Sequence, residues 1–418
     1  MDPTPARQRV TSTRTGRYVR QLSGYSAFVP NELPPDPRVD MGALTPVLSD
    51  ANLAIGRLDG VSRTLPNPDL FVAMYVRREA VLSSQIEGTQ STLDDVLAYE
   101  LDASAARLPG DVGEVVNHVA AMNYGLQRLA TLPLSLRLIR EIHGVLMQGA
   151  RGDHKDPGEF RRSQNWIGPR GGSLIDSAFV PPPTAELDRL LGNFEGFIRE
   201  PGTWPALVHA GIAHAQFETI HPFLDGNGRV GRLLITFLLV HEGVLHRPLL
   251  YLSYFLKRHR TEYYDRLMAV RHDGNWEGWL DFFLRGVAET AAEATTTAGA
   301  IVQLRERDRA AVQDLGAHAI QFLDRLYERP VINVATAQDA IHVSWPTANK
   351  LVQQFAARGI LRETTGLRRN RVFRYEPYLQ MFAEPAPVDP GDAGQPSDLT
   401  QGPLASPAAP HQGPGSRG

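Results

Sequence analysis

The stretch HPFLDGNGRVGR at residues 221–232 is the most informative part of this chain. It predicts the end of one helix, a tight loop, and a second helix that begins near Val230. Gly226 and Gly228 allow left-handed backbone angles and leave the backbone open to a ligand. Successive amide N–H groups then point into one concavity at the positive end of the second helix. The sequence therefore predicts an anion-binding loop.

The side chains around this loop are those of a phosphate-transfer site. Arg229 and Arg232 lie three residues apart, so we expect both guanidinium groups on the same side of the helix. Asp225 offers the hard oxygen ligands that Mg²⁺ prefers, and His221 can accept a proton at neutral pH. We therefore expect His221 to deprotonate a hydroxyl as it attacks a phosphate of a bound nucleotide.

The same stretch resembles the Fic motif, HPFx(D/E)GNGRxxR, and matches it at every defined position. Those positions are His221, Pro222, Phe223, Asp225, Gly226, Asn227, Gly228, Arg229 and Arg232. A glycine-rich turn without a ligand would not require all of them together. The resemblance implies transfer of AMP from ATP to a Ser, Thr or Tyr hydroxyl of a protein, including the enzyme itself, with release of pyrophosphate.

The resemblance also implies a role for each residue of the motif. His221 is the catalytic base and Asp225 binds Mg²⁺. The nucleotide-binding residues are Asp225, Gly226, Asn227, Gly228, Arg229, Val230, Gly231 and Arg232. Transfer of another group, such as UMP or phosphocholine, stays open because the motif leaves the nucleobase open. A DNA-binding regulator that only senses nucleotide is a further alternative, but it would have no use for the base His221.

A second resemblance lies upstream, in the stretch SSQIEG at residues 83–88. It fits the (S/T)xxxE(G/N) pattern of the family's inhibitory helix, and Ser83 and Glu87 share a helix face because they are four residues apart. The resemblance implies that Glu87 pairs with Arg232 and withdraws it from the γ-phosphate of ATP. A solvated surface pair is the alternative. In some relatives the equivalent glutamate is linked to removal of AMP, which is also left open.

Two further segments are predicted to surround the nucleotide. Residues 160–182 read as a β-hairpin and resemble the family's flap, which docks the target peptide by strand addition. The residues expected to grip the substrate or nucleotide are Trp166, Ile167, Phe179 and Val180. A surface hairpin with its own small core is the alternative. Tyr263 and Tyr264 resemble residues on the nucleobase side of the site, and only one of two adjacent helical residues can face it.

The remaining pattern predicts a mainly α fold, a Fic-type helical bundle with a β-hairpin flap and a C-terminal winged helix-turn-helix-like domain. Helices are predicted at 69–86, from Ser91 onward, and at 111–130, 135–148, 184–199, 205–219, 230–242, 257–271, 275–297, 317–328, 335–341 and 344–358. The predicted domains are an extended or disordered arm (1–40), an N-terminal helical region with the inhibitory helix (41–130), the Fic catalytic core (131–300), the winged-helix-like domain (301–380) and a disordered tail (381–418).

Composition limits the compartment and the partners. The 418 residues carry a formal net charge of −3, which gives no general reason to expect nucleic acid or a membrane as a partner. The chain has no cysteine, which excludes disulfides, thiolate metal ligands and cysteine nucleophiles. We find no signal peptide and no apolar run of membrane-spanning length. A soluble, cytoplasmic protein without a membrane partner is the expectation.

Basic side chains in the predicted wing leave DNA binding open without favouring it. Arg368, Arg369 and Arg371 could reach backbone phosphates. The predicted recognition helix, which contains the stretch NKLVQQF at residues 349–355, is however poor in basic residues. Proteins that resemble this chain often pair, so a homodimer is left open as well.

Overall fold

The computed structural model describes residues 12–64, 68–102, 108–149, 156–168, 174 and 177–383. Residues 1–11 of the predicted arm and residues 384–418 of the predicted tail lie outside these ranges. Within them the chain is mainly helical, which confirms the predicted fold class. The helices are α1 (Met41–Thr64), α2 (Pro68–Ile86), α3 (Leu93–Leu101), α4 (Val112–Leu129), α5 (Leu136–Leu146), α6 (Thr184–Arg199), α7 (Ala206–Ile220), α8 (Asn227–His241), α9 (Ser253–Arg258), α10 (Arg260–Asp273), α11 (Trp276–Val312), α12 (Ala317–Glu328), α13 (Val334–Ile341), α14 (Trp345–Ala357) and α15 (Glu376–Leu379).

The helices α7 and α8 form the centre of the molecule. Every residue of α7 from Leu207 to Ile220 is buried, and nearly all of α8 is buried as well. A helix that is apolar on all sides requires partners all around. On one side the long helix α11 packs against α7, where the indole Nε1–H of Trp279 donates to the carbonyl of Gly211 at 2.8 Å. None of the helices in the described ranges combines the length and apolar character needed to cross a bilayer.

The N-terminal segment contains a β-hairpin that the sequence analysis does not predict. Strands β1 (Gly16–Arg20) and β2 (Ser26–Pro30) pair antiparallel, and the middle of β2 is buried. The Phe28 N–H donates to the Val180 carbonyl at 2.9 Å, and the Phe28 ring packs on Phe179. These partners are distant in sequence, so the local pattern carries no signal for the contact. The described part of the predicted arm thus supports the base of the predicted flap.

Helices α3, α9, α10 and α11 differ from the sequence prediction in their bounds. Helix α3 begins after Thr92, which forms a capping box with Asp95, whereas the hydroxyl of Ser91 is bound by Asp111. The helix predicted at 257–271 is two helices, α9 and α10, separated at His259. Helix α11 extends to Val312, far beyond the predicted end at 297. The predicted start at Ser91 and the single helix at 257–271 are therefore wrong.

The C-terminal part of the described chain has the predicted order of three helices and a hairpin. Strands β4 (Arg362–Glu363) and β5 (Phe373–Arg374) form the hairpin, and β3 (Val331–Ile332) pairs with β5 to give the sheet order β3-β5-β4. Helix α12 of this part packs against α2, where Arg77 Nη1 donates to the carbonyl of Glu328 at 3.2 Å. The winged-helix designation and the domain boundaries stay predictions.

A glycine at the contact between α4 and α8 gives a stability prediction. A Cβ on Gly125 would lie 2.3 Å from Cζ of the buried Phe237 ring, whereas a Cβ on Gly192 in α6 would meet nothing within 4 Å. We expect Gly125→Ala to lower the free energy of unfolding by about 1–3 kcal/mol through overpacking. The control Gly192→Ala should raise it by about 0.5–1 kcal/mol through helix propensity. Urea denaturation measures the free energy of unfolding of both variants. Equal changes in the two variants would contradict the packing argument.

Candidate active site

The loop between α7 and α8 begins at a strained residue. His221 ends α7 with φ 51° and ψ 60°, a left-handed conformation that is rare for a residue with a side chain. Its carbonyl oxygen accepts hydrogen bonds from Arg161 Nε at 2.9 Å and from Asn165 Nδ2 at 3.1 Å. These two buried side chains hold the turn from the segment that follows α5. The backbone of His221 is thereby fixed before any ligand is considered.

The second half of the loop is closed by Asn227. Its Oδ1 accepts from the Phe223 N–H and its Nδ2 donates to the Phe223 carbonyl, both at 2.8 Å. Because these bonds satisfy the loop backbone, α8 begins at Asn227 and not near Val230 as the sequence predicts. Gly226 precedes it with φ 75°, and a Cβ there would lie 2.8 Å from Met147 Sδ. The first turn of α8 has no side-chain cap in the described structure, so its N–H groups are available to an anion.

The remaining residues of the predicted nucleotide set divide between the loop and the core. The Asp225 side chain is half exposed at the loop, with Oδ1 bonded to the Gly226 N–H at 2.6 Å. Val230 is buried, and a Cβ on Gly231 would lie 2.5 Å from Glu218 Oε1. Val230 and Gly231 thus pack α8 against α7, while Asp225 faces outward.

The two arginines of α8 are both buried but have different partners. Arg229 Nη1 lies 3.3 Å from Glu114 Oε2 of α4, and its Nη2 lies 3.9 Å from Asp225 Oδ1. Arg232 instead faces α2, where its Nε donates to Ser83 Oγ at 2.8 Å and its Nη2 to the Ser83 carbonyl at 2.9 Å. A buried guanidinium needs this many partners because an unpaired charge in the interior is costly.

The Glu87 carboxylate completes the set of Arg232 partners. Its Oε1 accepts from Arg232 Nη2 at 2.8 Å, at the end of α2 where Gly88 takes φ 94°. A Cβ on Gly228 would lie only 2.2 Å from the same Oε1, so the absence of a side chain at Gly228 makes room for the carboxylate. Burial acts to raise the pKa of Glu87, but the nearby Arg232 outweighs it and the pKa is lowered. The carboxylate is therefore ionised at neutral pH.

The His221 imidazole lies among positive charges. Burial, reinforced by Arg271 and Arg161, lowers the pKa of His221 to about 3. The ring is therefore neutral at physiological pH, which is the form that can accept a proton. Its Nδ1 is buried and has no hydrogen-bond partner among the described residues.

The two predicted tyrosines are placed in different environments. Tyr263 is buried, and its hydroxyl lies 2.9 Å from His214 Nε2 in the core behind α8. The Tyr264 side chain is partly exposed, and the charges of Glu87 and Arg232 both act on it. Of the pair, Tyr264 is therefore the one that can face a nucleotide, and Tyr263 packs.

The predicted flap is represented by one antiparallel bridge between Ile167 and Phe179. Its two backbone hydrogen bonds measure 2.8 and 3.1 Å. Phe179 and Val180 are buried, whereas Trp166 is 42% exposed and available to a partner. The predicted Gly-rich turn falls largely on residues 169–173, outside the described ranges. The role of the four flap residues stays a prediction.

The chemistry of the loop fits a Mg²⁺ ion that is shared with phosphates. No group of three His, Asp or Glu side chains that could hold a metal alone occurs in the described part of the chain. Mg²⁺ is typically held by one or two carboxylates together with substrate phosphates. Asp225, with a half-exposed carboxylate beside the anion-binding loop, is a suitable donor of this kind.

Known proteins share this arrangement of helices. The Fic/DOC family N-terminal model matches residues 45–127, and the Fic/DOC family model matches residues 133–239. Residues 45–127 and 133–239 of this chain are therefore similar to the two regions of Fic/DOC proteins. The Fic match contains the whole loop from His221 to Arg232, and the N-terminal match contains Glu87. The predicted resemblance to Fic-domain proteins is confirmed.

Curated relatives that match this chain are named protein adenylyltransferase Fic. The one from Aedes aegypti is 33% identical over 183 residues, which are 42% of this chain and 32% of the relative. The one from Culex quinquefasciatus is 32% identical over 185 residues, with the same two shares. The chain thus spans about a third of the length of the curated relatives it matches.

A solved structure supports the Fic fold. A Fic family protein from Desulfovibrio desulfuricans G20 matches 81% of this chain and 97% of its own with a TM-score of 0.51. The sequences are 21% identical, so the likeness concerns the fold alone.

Several residues that shape the Fic site were not predicted from the sequence. His143 stacks on Phe223 with ring centroids 3.7 Å apart, accepts from the Gly158 N–H through Nδ1, and donates through Nε2 to the Asp225 carbonyl. The other residues are Arg161, Asn165, Glu218 and Arg271. His143 is the one with a sequence signal, because it lies on the apolar face of the amphipathic helix α5, where a polar residue is unexpected.

The buried His143 predicts a pH dependence of stability. Burial lowers the pKa of His143 from 6.5 to about 4, so between these values the unfolded chain binds a proton that the folded chain does not. Stability is therefore lost as the pH falls through this window. We expect His143→Gln to flatten the slope of the free energy of unfolding against pH by up to about 1.4 kcal/mol per unit.

Urea denaturation at a series of pH values measures this slope. His318→Gln, at an exposed position, is the matched control and should leave the slope unchanged. A slope in His143→Gln equal to that of the wild type would show that this histidine is not held neutral by the fold.

Proposed function

We propose that this protein transfers AMP from Mg·ATP to a Ser, Thr or Tyr hydroxyl of a protein, itself included, and that Glu87 holds it inactive. The support for the transfer is the complete motif at residues 221–232 in a family whose curated members include protein adenylyltransferases. The observation that carries the inhibition is the contact of Glu87 with Arg232 at 2.8 Å. Cytoplasmic location stays a prediction, and a homodimer and DNA binding, which is not favoured, stay open.

The chain's own residues account for the chemistry in the following way. The first-turn N–H groups of α8 and the Arg229 guanidinium bind and orient the phosphates. The neutral His221 takes the proton of the substrate hydroxyl as its oxygen attacks the α-phosphorus. The bond to the β-phosphate oxygen breaks and pyrophosphate leaves. Mg²⁺ held by Asp225 and the phosphates would neutralise charge that develops on the leaving group.

Inhibition follows from the number of partners that Arg232 can have. Its Nη2 is shared by the Ser83 carbonyl and the Glu87 carboxylate, and its Nε is bound by Ser83 Oγ. A γ-phosphate would have to compete with an ionised carboxylate that is already in contact. Because the carboxylate is negative, it also repels the triphosphate. ATP is then bound unproductively or excluded.

Labelling with α-³²P-ATP and Mg²⁺ tests the proposal directly. We compare the purified wild type, Glu87→Gly, and the double variant Glu87→Gly with His221→Ala. Since one charged hydrogen bond contributes about 1.5–3 kcal/mol, its loss should raise protein-bound label about tenfold or more. The double variant should carry no label, because the base is missing.

Each contrary outcome of the labelling experiment excludes a different part of the proposal. If Glu87→Gly binds ATP but stays unlabelled, AMP transfer is the wrong reaction for this site. If wild type and Glu87→Gly label equally, Glu87 is not inhibitory. Label on the double variant would exclude His221 as the base.

The Ser83 hydroxyl gives a graded version of the same test. Ser83→Ala removes the partner of Arg232 Nε but keeps Glu87, so we expect labelling a few-fold above wild type and below Glu87→Gly. Ser84→Ala is the matched control, because the Ser84 hydroxyl is equally buried and has no hydrogen-bond partner in the described structure. Autoradiography of the variants side by side shows the order of their labelling. An increase in Ser84→Ala equal to that in Ser83→Ala would contradict the role of this bond.

A further inference from the structure

A buried carboxyl lies beside the base without a partner of its own. Glu218 is on α7, three residues before His221, and is 6% exposed. Its Oε1 has no hydrogen-bond partner in the described ranges, and its Oε2 lies 4.0 Å from His221 Nδ1, which is also without one. Two buried polar groups that face each other without partners are unusual, because each loses its hydration.

The surroundings of Glu218 are mostly cationic. Arg232 of α8 and Arg271 of α10 face the carboxyl and favour its ionised form, while Glu87, just beyond the end of α2, opposes it. Tyr263 of α10 faces the same space. Burial dominates and raises the pKa of Glu218 to about 7. The carboxyl can thus change its charge near neutral pH.

The base needs a negative partner when it accepts a proton. In the described structure Arg271 and Arg161 act on His221 and disfavour its imidazolium form. The backbone of Glu218 acts in the opposite direction, and so does the charge of Glu87. If Glu87 must move away for ATP to bind productively, its help is lost during the reaction. The Glu218 side chain is then the remaining carboxylate within 4.0 Å of the ring.

We propose that Glu218 is a positioning residue whose ionised carboxylate accepts the Nδ1–H of His221 and so directs Nε2 to the substrate hydroxyl. The inference rests on the proposed AMP transfer. In that step the hydroxyl proton goes to Nε2, the oxygen forms the bond to the α-phosphorus, and the electron pair of the broken bond leaves with pyrophosphate. The Nδ1 proton stays on the ring throughout, and Glu218 offsets the imidazolium charge.

The pH profile of labelling separates this role from a packing role. In the Glu87→Gly background the rate should fall as the pH drops through the pKa of Glu218, which is lower there than in the wild type because the charge of Glu87 no longer raises it. Adding Glu218→Gln, which preserves shape, should lower the rate at alkaline pH about tenfold and remove this fall. The two curves should converge at acid pH, where Glu218 is itself neutral. Affinity for ATP should stay within about twofold, because Glu218 is assigned to the base and not to the phosphates.

Glu79→Gln in the same background is the matched control. Glu79 is also buried, and burial raises its pKa to about 7, but its oxygens are bound by the Ser253 N–H and hydroxyl. The Glu79→Gln variant should show the same dependence of the labelling rate on pH as the Glu87→Gly parent. Parallel curves for parent and Glu218→Gln, or an unchanged rate, would overturn the proposal. The Glu218 side chain would then have a packing role only.

A second measurement does not depend on AMP transfer. In wild-type protein labelled with ¹⁵N-histidine, the Nδ1 resonance of His221 should shift as the pH passes through about 7, the pKa of Glu218. Glu218→Gln should abolish the shift, while the His143 resonance serves as an internal reference. If Glu87→Gly fails to label but the shift is present, the proposed function fails and the Glu218–His221 contact stands. Absence of the shift in wild type overturns the contact itself.

Discussion

The buried guanidinium of Arg232 is the charge around which the site is arranged. A cation in the interior needs hydrogen-bond acceptors, and here they come from Ser83 and Glu87, which lie 149 and 145 residues earlier in the chain. That requirement fixes where α2 ends against α8, and it needs the bare backbone of Gly228 at the point of contact. The same positive charge attracts a γ-phosphate. Under the proposed function, Glu87 and ATP would therefore compete for a group that the fold cannot leave unpaired.

The second constraint is the sharp turn that links α7 to α8. His221 is held in a left-handed conformation by donors to its carbonyl, and Asn227 uses both ends of its side chain to close the loop. The His221 carbonyl and the Asn227 amide are thus bonded within the protein and not to a ligand. Their bonds leave the first turn of α8 free to bind an anion, so that the loop is preorganised before nucleotide arrives.

The sequence predicted those parts of the site whose residues lie close together in the chain. The motif at residues 221–232 and the spacing of Ser83 and Glu87 are local patterns, and the helix periodicity is strong in the apolar helices. His143, Arg161 and Asn165 were missed because they reach the loop from 56 to 82 residues away, which no local pattern encodes. The N-terminal hairpin was missed for the same reason. The start of α8 was placed late because the side chain of Asn227 decides it.

The hydrogen bond from Phe28 to Val180 has a consequence for how an extended peptide could be received. The arm that contains Phe179 and Val180 pairs with Ile167 on one side and with β2 on the other, so both of its backbone edges are occupied. Strand addition needs an unpaired edge. A target docked by the predicted strand addition would therefore align along the far side of the arm at 166–168, beside the exposed Trp166. The hairpin at the start of the chain thus sets the direction from which a target can approach.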